Sequence, residues 1–493
     1  MDIKEYQDKI EKLLVKTLKK TPKKRIGILF SGGIDSLMLA VYLKKLNYNF
    51  TCYTSAYKED SQDLIFAKEI AKELNLNLKY KILKLEKIPK YLEKIVPIIQ
   101  QTNPINVSVG LTVYVATELA KKDDIEILFS GLGSDELFGG YNRHKTSKNL
   151  NKELKEGLKK VYEDDLVRDQ KIISHFKIKP LVPYLEKELV DYALKIPAKY
   201  KINKETNKLV LRELAIKEGI SKKYAFRPKK AAQYGSKFDK AIEKLSEKKK
   251  KSEYLNQYMK LGILFSSGKD STYATYLMKD YDIPCLITIK SKNPDSYMYH
   301  TPNIDLTELQ AEAMQLPILF QETTGEKEHE LKDLEKVLIK SKEKYKIQGI
   351  VTGALFSDYQ RERIEKIADK LELKVFSPLW HKDQEEVMRE LIKNNFKIIF
   401  SSIAAEGLDK SWLNKVITTE DIDKLVKLNK KNGLNIAGEG GEFESLVLDC
   451  PLFKKEIKIL ESEIIEEAKN TAKLEIKKAK LVPNKSYSLN QAK

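Results

Sequence analysis

Two stretches of the chain, residues 27–36 (GILFSGGIDS) and 262–271 (GILFSSGKDS), repeat one order of residue types. Each is a short apolar run, then a Ser/Gly turn, then an aspartate and a serine that open a helical pattern. Glycine lets the backbone come close to an anion, and a helix N-terminus directs N–H groups at it. In the first copy Ser31, Gly32, Gly33 and Ser36 would form the cradle; in the second Ser266, Ser267, Gly268 and Ser271 would. Asp35 and Asp270 would repel a bare phosphate, so their expected role is to hold Mg²⁺ that bridges phosphate oxygens. Lys269 is counted among the catalytic residues of the second copy. The spacing is neither the Walker loop nor the dinucleotide fingerprint. A single loop of this kind could be a plain turn; its recurrence in the same order argues for phosphate chemistry.

Three further loops carry reactive residue types. Residues 130–141 (SGLGSDELFGGY) place Gly131 and Gly133 before two adjacent carboxylates, Asp135 and Glu136, suited to a second metal contact and to orienting a substrate. Residues 353–365 (GALFSDYQRERIE) hold Gly353, Asp358, Arg361 and Arg363. Only eight of the 90 basic residues are arginine, so two in one short motif point to a fork geometry that lysine cannot supply; a charged helix face is the alternative. Residues 438–445 (GEGGEFES) gather Glu439, Glu442, Phe443 and Glu444 in a glycine-bent acidic loop, or else form a plain turn. His300 and His381 are candidate acid–base groups, with structural roles as the alternative.

The elements that must position these loops alternate in type. Strand-like runs at 25–30, 50–53, 78–83 and 125–129, then 261–265, 285–290, 316–320, 349–352, 374–376 and 397–401, are separated by amphipathic stretches such as 61–74 and 359–371. This predicts an α/β protein of two tandem doubly wound parallel-sheet domains, each with its ligand at the carboxyl ends of the strands. The expected organisation is a first domain over 1–250 with an N-terminal helix, a charged linker over 251–260, a second domain over 261–482 and a flexible tail over 483–493. At 493 residues, 42% hydrophobic and 33% charged, the chain can build two real cores.

No run of about 18 apolar residues exists, so no membrane span is expected. The start lacks the apolar core and cleavage site of a secretory signal, and a cytoplasmic location is expected. Three cysteines give neither a disulfide framework nor metal-ligand spacing; Cys52 and Cys285 read as buried residues in strands. The formal charge of +18 comes from lysines spread over every charged face, which reads as compositional bias, and nucleic acid is not expected as a main partner.

The repeated loop resembles the signature of the PP-loop ATP pyrophosphatase superfamily, which implies ATP and Mg²⁺ as cofactors and transfer of AMP to a substrate. With residues 130–141, 166–169 (LVRD), 183–185 (PYL) and 226–229 (FRPK), the first half resembles the synthetase domain of asparagine synthetase. That resemblance implies a phosphate contact for Lys229. The family usually begins with a glutaminase domain carrying an N-terminal cysteine; here the loop comes within about thirty residues of Met1. Glutamine hydrolysis by this chain is therefore not expected, and ammonia is the expected nitrogen donor. Residues 179–182 (KPLV) lack the glutamate and arginine the family carries before its Pro–aromatic–Leu, which puts aspartate as substrate in doubt.

The second half, with 353–365, 377–384 (SPLWHKDQ) and 438–445 in this order, resembles diphthine–ammonia ligase. The resemblance implies adenylation of the diphthine carboxylate on elongation factor two and displacement of AMP by ammonia. The trimethylammonium group of diphthine would suit carboxylates and an aromatic face, here Glu439, Glu442, Glu444 and Phe443, with the arginines facing phosphate or carboxylate. Three alternatives stay open: asparagine formation by the first half, a first half that only binds and docks, and a tRNA-modifying enzyme of the same superfamily.

Overall fold

The computed structural model describes residues 2–22, 24–228, 231–291, 306–325, 329–355 and 358–484. Its contacts divide the chain into two units, Met1–Leu255 and Asn256–Lys493. Within the expected linker, Lys251–Asn256 is helical with Leu255 buried, and Lys260 already begins a strand.

In the first unit five strands, β1 (Ile26–Leu29), β2 (Phe50–Ala56), β3 (Leu78–Ile82), β4 (Ile127–Phe129) and β5 (Lys179–Leu181), form a parallel sheet of order β3-β2-β1-β4-β5. β1 lies between β2 and β4, so the chain leaves its carboxyl end where the winding reverses, the place where open α/β sheets bind ligands. The helix that follows, Ile34–Lys45, is buried nearly all round through Leu37, Met38, Leu39, Tyr42 and Leu43. The N-terminal helix Ile3–Lys19 opens on a capping box of Asp2 and Glu5 and joins the same core through Ile10, Leu14 and Leu18. β5 was not among the expected strands. It is three residues long and contains Pro180, tolerated because this is the sheet's edge and one side needs no N–H donor.

The second unit repeats the architecture with β6 (Lys260–Leu264), β7 (Asp282–Ser291), β8 (Ile318–Thr323), β9 (Gly349–Val351) and β10 (Lys374–Phe376), parallel in the order β10-β9-β6-β7-β8. The next strand, β11 (Lys397–Ala404), does not extend that sheet as the alternation implied. It joins β12 (Phe443–Asp449), β13 (Lys455–Ala468) and β14 (Thr471–Pro483) in an antiparallel sheet of order β12-β11-β14-β13. An apolar run fixes which residues are buried but not which strand it pairs with, so this second sheet was invisible. Asn484, in the expected tail, is buried and donates to Asp449 Oδ1 at 2.8 Å; residues 485–493 lie outside the described residues.

One buried lysine of the first unit has a cost that can be measured. Lys201 is fully buried, donates to Asn151 Oδ1 at 3.0 Å, and has its amine pulled down to about 7 by burial. The unfolded chain binds that proton up to its ordinary value of 10.5, so the penalty on folding is fully present below about pH 7 and fades as pH rises towards 10.5. Lys201→Met keeps the apolar stem, and is expected to stabilise the first unit near pH 6.5 by a few kcal/mol, on the order of 1–4, with a smaller gain at pH 9. Thermal unfolding at the two pH values checks this.

Candidate functional sites

The two phosphate loops share one device. After β4, Gly131 packs so closely that a Cβ there would lie 2.8 Å from Asp35 Cβ and 3.2 Å from Ser36 N. After β9, Gly353 does the same, its Cβ falling 2.7 Å from Asp270 C and Ser271 N. Each loop is thus backed by a glycine from the neighbouring strand, and only a residue without a side chain allows the approach.

In the first unit the structure adds a residue that the sequence did not single out. Lys208 is fully buried, with Nζ 2.5 Å from Asp35 Oδ1 and 2.8 Å from Asp135 Oδ1. Ser134 Oγ donates to the same Asp35 oxygen at 2.5 Å, and Tyr184 OH donates to the Asp35 carbonyl at 3.1 Å. Asp35 and Asp135, both expected as metal ligands, lie on either side of a lysine ammonium. Glu136, beside them, is buried and accepts from Tyr141 OH at 2.7 Å. Burial, reinforced by the Asp135 charge and opposed by Tyr141 and Lys208, lifts its carboxyl to about 7.

Lys229 lies outside the described residues. Arg227 of the same motif is buried; it donates to the Ser31 carbonyl at 2.8 Å and to Asp63 Oδ1 at 2.6 Å, so it holds the loop. A cavity of about 490 Å³ runs from Ser31 and Asp35 past Asp135 and Glu136 to Arg168 and Asp169. Arg168 donates to Asp165 at 2.6 Å and to Asp169 at 2.8 Å. Its guanidinium is therefore engaged by the chain's own carboxylates. The segment before it, Val161–Asp165, is a π-helical turn, a feature frequent at functional sites.

In the second unit Lys269 is buried, with Nζ 2.7 Å from Asp270 Oδ2 and 5.7 Å from the centre of the Phe443 ring. Asp270 Oδ1 is shielded from solvent without a hydrogen-bond partner. Glu439 and Glu444 stand by this pair. Loss of solvent and the Asp270 charge push both carboxyls up to about 7, against the pull of Lys269. Glu439 is exposed to solvent and Glu444 is half-buried.

Other expected residues do different work. Glu442 accepts from the backbone N–H groups of Gly440 at 2.8 Å and Asn435 at 3.2 Å, so it shapes its own loop. Phe443 is stacked on Phe400 at 3.8 Å and buried, so it offers no open aromatic face to a quaternary cation. Arg361 donates to Glu365 at 2.6 Å and lies 4.6 Å over Trp380, engaged within its own surroundings instead of standing as a free fork. Asp358 is exposed at the start of the helix Asp358–Lys370. His381 has a φ of +57° and its N–H donates to the Leu355 carbonyl at 3.0 Å, a turn residue in this setting. His300 lies outside the described residues. Among the described residues no group of three or more His, Cys, Asp or Glu side chains is arranged to hold a metal, and no helix is long and apolar enough to cross a membrane.

Each of the two parallel sheets carries a Ser–Gly loop that leads through Asp–Ser into the helix after its central strand, and the family matches make the chain a carbon–nitrogen ligase. Residues 259–375 and 383–482 match the diphthamide synthase N-terminal and C-terminal domains, and residues 9–156 and 145–259 match asparagine synthase. The chain belongs to the diphthine–ammonia ligase family through its second half, and that half is joined to an asparagine synthase domain. Diphthine–ammonia ligase of Mus musculus is 37% identical over 228 residues, which cover 42% of this chain and 85% of that protein. The Homo sapiens enzyme is 36% identical over the same shares. A Methanocaldococcus jannaschii protein named as a glutamine-hydrolyzing asparagine synthetase is 34% identical over 286 residues, covering 50% of this chain and 52% of that protein.

Proposed function

We propose that the second unit adenylates the carboxylate of diphthine on elongation factor two and lets ammonia displace AMP, giving diphthamide. What carries this reading is the conjunction of the nucleotide loop and Lys269–Asp270 with Glu439 and Glu444, close enough to feel both charges, in a chain of this family. A substrate carboxylate oxygen attacks the α-phosphorus, and the bond to the bridging oxygen breaks to release pyrophosphate. Ammonia nitrogen then adds to the acyl carbon, the C–O bond to AMP breaks, and a proton is lost.

The loop N–H groups and Lys269 would hold the departing pyrophosphate charge. Asp270, through its unpartnered Oδ1, is the residue that fits Mg²⁺ arriving with ATP, and the ion would supply charge neutralisation there. Glu439 and Glu444 would face the trimethylammonium end of diphthine, whose arrival favours their ionised forms.

Glu444→Gln is accordingly expected to raise KM for the protein substrate about tenfold while changing KM for ATP little. Equal effects on both would remove the substrate role from Glu444. The reading as a whole is tested by AMP formation with ammonium and diphthine-bearing elongation factor two, compared with factor lacking diphthine. AMP release indifferent to diphthine would overturn it.

For the first unit the proposal is ATP binding in the cavity beside Ser31–Ser36, with a second amidation formed or supported there. Asparagine production from aspartate, ATP and ammonium by the full chain decides whether aspartate is its substrate.

A further inference from the structure

At the second position of each nucleotide loop the backbone is left-handed. In the first copy this is Gly32, φ +67°, free of side-chain strain; in the second it is Ser267, φ +71°, where an L side chain resists the conformation. A strained residue of this kind persists only where its surroundings over-determine it. The surroundings here are specific. The Ser267 carbonyl accepts from Gln310 Nε2 at 2.9 Å and from the Val447 N–H at 3.3 Å. The same Gln310 amide donates to the Val447 carbonyl at 2.9 Å, and Lys269 N–H donates to Ser445 Oγ at 3.1 Å.

Gln310 itself is fully buried, and its Oε1 has no partner, so the side chain is kept for its two donors at the cost of an unsatisfied acceptor. In the first copy the loop is held otherwise, by Arg227 on the Ser31 carbonyl and by the backbone of Phe66 and Ala67 packed at Gly32.

We propose that Gln310 is a positioning residue for the nucleotide loop of the second unit, clamping the Ser267 peptide to β12 so that the loop N–H groups stay aimed at phosphate. The antiparallel sheet is thereby part of the ATP site and not an appended module. The inference rests on reading residues 266–271 as the phosphate-binding loop. It concerns how that loop is held, not what is amidated.

The test uses the full chain with Asp35→Ala throughout, so that titration reads the second unit, and compares four proteins: no further change, Gln310→Met, Gln310→Glu, and Gln310→Met combined with Ser267→Gly. ATP affinity is measured directly by titration, with thermal unfolding alongside. Loss of both donors in Gln310→Met is expected to weaken ATP binding about tenfold. Gln310→Glu, of the same shape and with at most one donor when protonated, should fall between. Glycine takes φ +71° without strain and needs no clamp, so the double variant should recover ATP affinity towards that of the Asp35→Ala parent.

A purely structural role would lower the unfolding temperature without changing ATP affinity in the folded protein, and glycine at 267 would restore nothing. Either result overturns the proposal, as does unchanged affinity in a folded Gln310→Glu. Failure of Gln310→Met to fold, with folding and ATP binding regained in the double variant, supports it. Wild-type ATP binding that survives Asp270→Ala and Lys269→Ala together, in a chain also carrying Asp35→Ala, would instead sink the loop reading and this inference with it.

Discussion

Gly353→Ala is expected to lower diphthine-dependent AMP formation by about 100-fold or more while the protein stays folded. The added methyl would sit 2.7 Å from two backbone atoms, Asp270 C and Ser271 N, neither of which can swing aside as a side chain can. They open the helix Lys269–Leu277, whose Thr272 and Thr275 hydroxyls and Tyr273 are buried and bonded. The loop must therefore shift by several tenths of an ångström relative to Glu439 and Glu444. Gly131→Ala strains the equivalent place in the first unit, against Asp35 and Ser36, and should leave diphthine amidation nearly intact. Rates and far-ultraviolet circular dichroism on both variants check the pair; an undiminished rate in Gly353→Ala would mean that this loop is not where the reaction occurs.

The second large effect concerns Lys208. With the ammonium gone, Asp35 and Asp135, both mostly buried, would face each other without a counter-charge. Lys208→Met is expected to destabilise the first unit by about 3–5 kcal/mol, the cost typical of a buried pair broken from one side. The same change frees two carboxylates at the mouth of a phosphate loop, so millimolar Mg²⁺ should recover part of the loss in Lys208→Met and do little for wild type without nucleotide. Unfolding temperatures with and without Mg²⁺ measure both effects. No destabilisation would show that the carboxylates are held apart or solvated without Lys208.

The tandem architecture was legible because each nucleotide loop follows a four- or five-residue apolar strand and opens a helix, a local pattern that sequence reveals. Asp35, Asp135, Lys269 and Asp270 were each marked by a local motif, but that Asp35 meets Asp135, from a different loop, is visible only in the fold. Lys208 escaped notice because it is one lysine in a lysine-rich stretch, and its burial arises from long-range packing against Asp35. Gln310 carries no motif at all; its importance lies in contacts with Ser267 and Val447, far away in sequence. β13 and β14 were missed although Ala472, Leu474 and Ile476 alternate with charged residues at strand spacing; the ribbon is mostly solvent-facing, and its many Glu and Lys residues masked that period. Arg361 was marked by its rarity as a candidate fork; its partners in the fold are Trp380 and Glu365, which no local pattern announces.

The central claim, that the second unit is the diphthine ligase, is met most directly by comparing Asp270→Ala with Asp35→Ala in the full chain. Diphthamide formation and AMP release would be followed with ammonium, ATP and diphthine-bearing elongation factor two. The account predicts that Asp270→Ala abolishes both while Asp35→Ala retains them. Diphthamide formed at the wild-type rate by Asp270→Ala, or none formed by wild type, would contradict it.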